Sequence, residues 1–138
     1  MDQQFGMRIG SDVAETPEVS AWLEEVMQGS GFSQEAILDT QLAVEEAITN
    51  AIVHGYKEAG GEIVITCTVH SDRVEVEIAD TSPRFDPLSI PEPELENSID
   101  KRKIGGLGIF LIRQVMDGVL YRYENGKNIL VLIKNRIS

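Results

Sequence analysis

Residues 44–55 read VEEAITNAIVHG, an apolar-rich segment in which two polar side chains stand four positions apart. Glu46 and Asn50 project from the same face if the segment is helical. A carboxamide oxygen suits magnesium, which proteins usually hold through one or two groups together with phosphates and water. A carboxylate one turn away is placed to orient or deprotonate a hydroxyl that attacks a terminal phosphate. Two solvated side chains on a helix surface would show the same spacing, so the pair alone does not decide.

A second segment, residues 104–116, reads IGGLGIFLIRQVM and passes from clustered glycines into a helical pattern. Backbone N–H groups at the start of a helix bind phosphate, and Gly105, Gly106 and Gly108 allow the chain to approach it closely. The pattern is neither a Walker A loop nor a Rossmann fingerprint. A purely structural glycine turn is the alternative interpretation.

Between these segments, residues 73–80 alternate as RVEVEIAD, which predicts a strand that ends at Asp80 and is followed by TSPRFDP. A carboxylate in this position can accept a hydrogen bond from the exocyclic amine of a base. An Asx turn that closes the strand is the alternative.

In this order the three segments resemble the N box, the first glycine box and the second glycine box of the GHKL superfamily. DNA gyrase, a heat-shock chaperone, histidine kinases and mismatch-repair ATPases belong to it. Within the superfamily, EAITNAIVHGY at residues 46–56 and FDP at residues 85–87 are similar to bacterial anti-sigma-factor serine/threonine kinases. The resemblance implies ATP and Mg²⁺ as cofactors.

The resemblance also implies the role of each matching residue. Glu46 would be the catalytic base, Asn50 the magnesium ligand and Asp80 the residue that reads adenine. The nucleotide-binding set would comprise Asn50, His54, Asp80, Ser82, Phe85, Gly105, Gly106, Leu107 and Gly108. His54 is also placed to cap the end of its helix.

Ser82 departs from the family pattern, which usually has glycine two residues after the adenine-reading aspartate. Its Cβ would crowd the base or strain the turn. We therefore expect Ser82→Gly to raise nucleotide affinity or to leave it unchanged.

By the same resemblance, the chain would bind a sigma factor and phosphorylate a serine of an anti-anti-sigma antagonist that competes for it. A homodimer is left open. The alternative is a binding module that sequesters a regulatory partner without catalysis, although such a module has no need of Glu46 beside the metal ligand. A histidine-kinase catalytic domain is less favoured because no helix with a phospho-accepting histidine precedes the boxes, and a gyrase-like ATPase because the chain is short.

The amino-acid composition limits the classes of partner that the chain can bind and indicates its cellular compartment. The 138 residues carry a net charge of −11, which disfavours direct binding to nucleic acid or to an anionic membrane. The single Cys67 excludes an internal disulfide, and no apolar run is long enough to span a membrane. We expect one cytoplasmic domain over residues 1–138.

The periodicity and the order of the elements predict a two-layer α/β (α+β) sandwich, and the resemblance implies the Bergerat fold of GHKL ATPases. A mixed, mainly antiparallel sheet would be covered on one face by about three helices. The first helix would begin near Pro17, and the second would run from the Ser33 cap to about His54. The composition of residues 88–104 predicts a mobile segment, and the resemblance implies that this segment is the ATP lid, in which Arg102 or Lys103 would neutralise phosphate charge.

Overall fold

The computed structural model describes residues 2–56, 60–89 and 106–136. Within these ranges the main elements are β1 (Gln3–Gly10), α1 (Thr16–Gly29), α2 (Gln34–Asn50), β2 (Glu62–Val69), β3 (Arg73–Asp80), α3 (Gly106–Val115), β4 (Gly118–Glu124) and β5 (Lys127–Asn135). Single 3₁₀ turns lie at Val13–Glu15 and Pro87–Ser89. Most of the predicted ATP lid lies outside the described residues. No described helix is both long and apolar enough to cross a membrane.

The strands form one sheet in the order β1-β2-β3-β5-β4. Each of the four pairings between described strands is antiparallel. The sequence allowed a mixed sheet, but β5 inserts between β3 and β4, and β2 lies between β1 and β3. Strands that run in the same direction are thereby never neighbours.

The three helices pack on one face of the sheet, as the periodicity predicted. Alternation in β2 turns Ile63, Ile65 and Cys67 towards the helices, where all three are fully buried. Burial raises the pKa of the Cys67 thiol to about 12, which makes it an inert core residue. The largest fully buried helix residues that meet this face are Val19, Leu23, Met27, Ile37, Val44, Ile48, Ile109 and Ile112.

The second helix differs from its prediction at its end. It begins as expected, because the Ser33 hydroxyl accepts a hydrogen bond from the Ala36 N–H at 3.1 Å. The regular α-helix then stops at Asn50, and residues Ala51–Tyr56 form a wider π-helical turn. The wide turn carries Tyr56 to the loop after β3, where its hydroxyl donates to the Glu62 carbonyl and accepts from the Thr81 N–H. Such turns recur at functional sites.

At the end of the sheet opposite Tyr56, two basic side chains, Lys134 and Arg136, connect the helices to the last strand. The Lys134 ammonium, on the inward face of β5, donates to the Val115 carbonyl at 2.7 Å and lies 3.0 Å from Asp39 Oδ2. Arg136 donates to the Ser30 carbonyl at 2.7 Å and stacks over the Phe32 ring. The end of α3 and the turn after α1 are thereby joined to the last strand.

Candidate functional site

An open cleft lies where β3 ends and β5 begins, beneath the end of α2. Its walls combine apolar side chains with a few polar groups, the usual composition of a small-molecule site. The lining residues are Ala47, Asn50, Ala51, Gly55, Ile78, Asp80, Ser82, Phe85, Pro87, Tyr121, Asn128 and Leu130.

Glu46, Asn50 and Gly108 meet beside this cleft. A Cβ placed on Gly108 would lie 3.0 Å from Glu46 Oε2 and 3.3 Å from Asn50 Oδ1. Any side chain at position 108 would therefore press on both polar groups, which explains glycine there by close approach. The structure brings the first turn of α3 against the polar face of α2.

The Glu46 carboxyl is partly buried. Its pKa is raised from the ordinary value, first by desolvation and second by the charge of the neighbouring Glu45. A carboxylate with a raised pKa accepts a proton more readily than one in water, which suits a general base.

Asn50 is only 8% exposed, and its Nδ2 is buried without a hydrogen-bond partner among the described residues. Such an orphaned amide is uncommon in a folded protein and calls for an explanation. A bound ligand that engages the carboxamide would supply it.

Asp80 and Ser82 form the opposite wall of the cleft and are 8% and 4% exposed. The Ser82 hydroxyl donates to Asp80 Oδ1 at 2.6 Å, and the Ser82 N–H donates to the same oxygen at 3.0 Å. This is the Asx-type turn that we weighed as an alternative for Asp80. The turn and the cleft coexist, because Asp80 lines the cleft as well.

The remaining predicted residues fall at different distances from the cleft. Phe85 lines it, whereas His54 lies in the π-helical turn with its ring centroid 6.5 Å from that of Phe85. Gly106 and Leu107 lie in the first turn of α3. Gly105, Arg102 and Lys103 lie outside the described residues.

Comparison with known proteins identifies the family. Residues 9–134 match the profile of the histidine kinase-like ATPase domain. The chain belongs to this family. It is 37% identical over 114 residues to the serine-protein kinase RsbW of Listeria monocytogenes serotype 4a (strain HCC23), covering 79% of this chain and 73% of that protein. It is 38% identical over 121 residues to the serine-protein kinase RsbW of Oceanobacillus iheyensis, covering 84% of this chain and 75% of that one.

The fold has a solved counterpart in the RsbU and RsbW domains of Rv1364c from Mycobacterium tuberculosis. The TM-score is 0.67 at 17% identity, over 96% of this chain and 32% of that larger chain. Membership of the RsbW group confirms the predicted enzyme class, an ATP-dependent serine-protein kinase built on a histidine kinase-like ATPase domain.

Of the cleft residues that sequence reasoning missed, Asn128 and Gly55 contact the predicted residues Asp80 and Ser82. The Asn128 amide donates to Asp80 Oδ1 at 3.0 Å, although 48 residues separate the two. No local sequence signal links the two residues, because their contact depends on the register of β3 and β5, which pairs Asp80 with Asn128. Nothing in the local pattern singles out Gly55, because it lies in a segment that reads as continuous helix.

Proposed function

We propose that this chain transfers the terminal phosphoryl group of Mg²⁺-ATP to a serine of an antagonist protein, and that this antagonist competes with a sigma factor for binding. The observation that carries the proposal is the meeting of Glu46 and Asn50 with Gly108 beside a cleft walled by Asp80. Around one cleft, this arrangement places a candidate proton acceptor, Glu46, and a candidate metal ligand, Asn50. It also places there a candidate hydrogen-bond acceptor for the adenine amine, Asp80.

The residues present fit a magnesium ion. Asn50 offers a carboxamide oxygen, the kind of ligand that magnesium takes, and its buried Nδ2, which has no partner in the described residues, can donate to a phosphate oxygen. The ion would be held by Asn50 Oδ1 and by phosphate oxygens, and it would neutralise charge on the phosphates. Gly108 lets the first turn of α3, whose N–H groups can bind phosphate, approach Asn50 closely.

Glu46 would act on the attacking serine. Its carboxylate orients the hydroxyl and accepts the proton that the hydroxyl loses as the oxygen–phosphorus bond forms. Its raised pKa supports this role, since the group must hold a proton during the transfer. At the other wall of the cleft, Asp80 would accept a hydrogen bond from the adenine amine.

The charge of the chain supports a protein partner over a nucleic acid. With 23 acidic and 12 basic residues, its field attracts basic protein surfaces and repels phosphate backbones. A sigma factor and an antagonist protein are the partners that we propose for it.

Radiolabelled ATP tests the proposal with candidate antagonist proteins from the same genome. Glu46→Gln should keep nucleotide and partner binding but lower serine phosphorylation by roughly 10²-fold, the usual scale for a general base. Glu35→Gln, in the exposed first turn of the same helix, is the matched control and should label normally.

Two outcomes would contradict the proposal in different ways. Wild-type protein that binds ATP and the antagonist but never labels it would exclude the kinase role. Labelling that persists at the wild-type rate in Glu46→Gln would leave a kinase whose base is another group.

A further inference from the structure

Ser82 is an integral part of the cleft wall. It is almost fully buried, and its hydroxyl proton is directed at Asp80 Oδ1 at 2.6 Å. A hydrogen bond between a hydroxyl and a carboxylate is among the stronger classes in proteins. Replacing Ser82 with glycine would remove that bond, which reverses our expectation from the sequence.

Asn128 completes the arrangement from β5. Its Oδ1 accepts from the Phe85 N–H at 3.0 Å and from the Tyr121 hydroxyl at 2.6 Å. A backbone N–H can only donate, so this contact fixes which end of the carboxamide faces Phe85. The Nδ2 end must then face Asp80 Oδ1, at 3.0 Å, and the Ser82 hydroxyl oxygen, at 3.2 Å.

These contacts determine which hydrogen-bonding atoms the cleft wall presents to a ligand. Asp80 Oδ1 receives three donors, namely the Ser82 N–H, the Ser82 hydroxyl and the Asn128 amide. The single hydroxyl proton of Ser82 is used within the wall. Among the described residues no hydrogen bond uses Asp80 Oδ2. The wall therefore presents an acceptor and selects a ligand that brings a donor.

Gly55 provides the space for Ser82. A Cβ at position 55 would lie 2.6 Å from the Ser82 hydroxyl oxygen and 3.2 Å from its Cβ. The positive-φ glycines of the described chain are Gly31, Gly60 and Gly126, so backbone conformation does not explain glycine at position 55. The close contact with Ser82 explains why position 55 is glycine. The π-helical turn and the loop after β3 fit together through this pair.

We propose that Ser82 is a specificity-determining residue, which together with Asn128 fixes the Asp80 carboxylate so that Oδ2 accepts from the exocyclic amine of a purine. Gly55 is its steric counterpart. The inference rests on the proposed function, because it requires an adenine nucleotide in this cleft.

Titration calorimetry with ADP and with IDP, both with magnesium, tests the inference. IDP carries a carbonyl where ADP carries the amine. In Ser82→Ala the affinity for ADP should fall by about 10-fold, the scale of a lost hydrogen bond to a charged group, while the affinity for IDP changes little. Ser20→Ala is the matched control, since it removes a serine hydroxyl that also bonds a carboxylate, Glu45, outside the cleft.

A steric pair of variants tests the role of Gly55. Gly55→Ala should displace the Ser82 hydroxyl and lower the affinity for ADP, and the double variant Gly55→Ala with Ser82→Gly should bind ADP better than Gly55→Ala alone. Thermal melts establish that each variant is folded. A double variant that binds no better than Gly55→Ala would overturn the pairing.

Asp80→Asn separates failure of this inference from failure of the proposed function. If Asp80→Asn collapses the preference for ADP over IDP but Ser82→Ala keeps it, the role of Ser82 is overturned and adenine reading stands. If Ser82→Ala weakens both nucleotides equally, Ser82 is merely structural. If neither substitution changes the preference, adenine reading at Asp80 fails, and the inference fails with it.

Discussion

Asn50 pairs a buried, unpartnered amide nitrogen with an oxygen that faces the start of α3. A side chain that served only the fold would have its polar atoms satisfied within the protein. The unpartnered amide nitrogen supports the proposal that Asn50 contacts a bound ligand.

We expect Asn50→Ala to lower the affinity for ATP about 10-fold or more in the presence of magnesium, because it removes the proposed magnesium ligand. Folding stability should change little, because the substitution also removes an unsatisfied polar group. Calorimetry with magnesium and with EDTA measures the difference. Asn135→Ala, an exposed asparagine at the far end of β5, serves as the control. An unchanged effect of magnesium in the folded variant would remove Asn50 from the metal site.

The raised pKa of Glu46 predicts a dependence of stability on pH. The folded protein holds this proton more tightly than the unfolded chain, whose pKa is near the ordinary 4.5. The free energy of unfolding therefore falls as the pH rises through 4.5 and up to the folded pKa, where the residue must be charged in a partly desolvated place.

Glu46→Gln removes the free-energy cost of charging this partly desolvated carboxyl group. Its advantage in stability over the wild type should grow from pH 4 to pH 7, and urea unfolding without nucleotide or magnesium measures it at each pH. Glu35→Gln is again the matched substitution. An advantage that shrinks with rising pH would contradict the desolvation of Glu46.

At the scale of elements, α3 is anchored at both ends. Its first turn meets Glu46 and Asn50 through Gly108, and its last carbonyl, that of Val115, accepts a hydrogen bond from the Lys134 ammonium. Lys134 is only 6% exposed, so its contacts with Val115 and Asp39 replace the water that it loses. The Lys134 contacts therefore join the C-terminal end of α3 to β5 and to α2.

Lys134→Met should lower the free energy of unfolding by about 1–3 kcal/mol. The methionine fills the volume but leaves the Val115 carbonyl unpaired and Asp39 without its cation. Asp39 keeps some contact with water, which holds the loss below the range for a fully buried ion pair. Urea denaturation gives the value, with Lys127→Met on the exposed end of β5 as the control. Equal stability of the two variants would deny Lys134 an anchoring role.

The element pattern was largely readable from the sequence, and the exceptions have physical causes. Alternation in residues 73–80 predicted β3 to the residue, because a half-buried strand has a strict period of two. The π-helical turn was not predictable, since residues 51–56 continue the apolar pattern of α2 and the wider turn depends on Tyr56 bonding Thr81, 25 residues away.

At the scale of the whole molecule, the candidate site was predictable where one segment carries two groups and hidden where distant segments meet. Glu46 and Asn50 share one helix, so their spacing was visible. The contact of Asn128 with Asp80 exists only through the pairing of β5 with β3. From the sequence, Ser82 was predicted to crowd the base or strain the turn. The space that accommodates its side chain is left by Gly55, which lies on a different element and could not be paired with Ser82 from the sequence.

The sheet also separates the two ends of the described chain from the cleft. Gln3 pairs with Val69 and Asn135 with Arg73, whereas Asp80 pairs with Asn128 at the opposite end. A strand of eight residues spans about 25 Å. A fluorophore or a surface tether attached at Gln3 or at Asn135 would therefore be anchored about one strand length from the cleft, which makes this protein suited to immobilised, single-molecule recording of partner exchange.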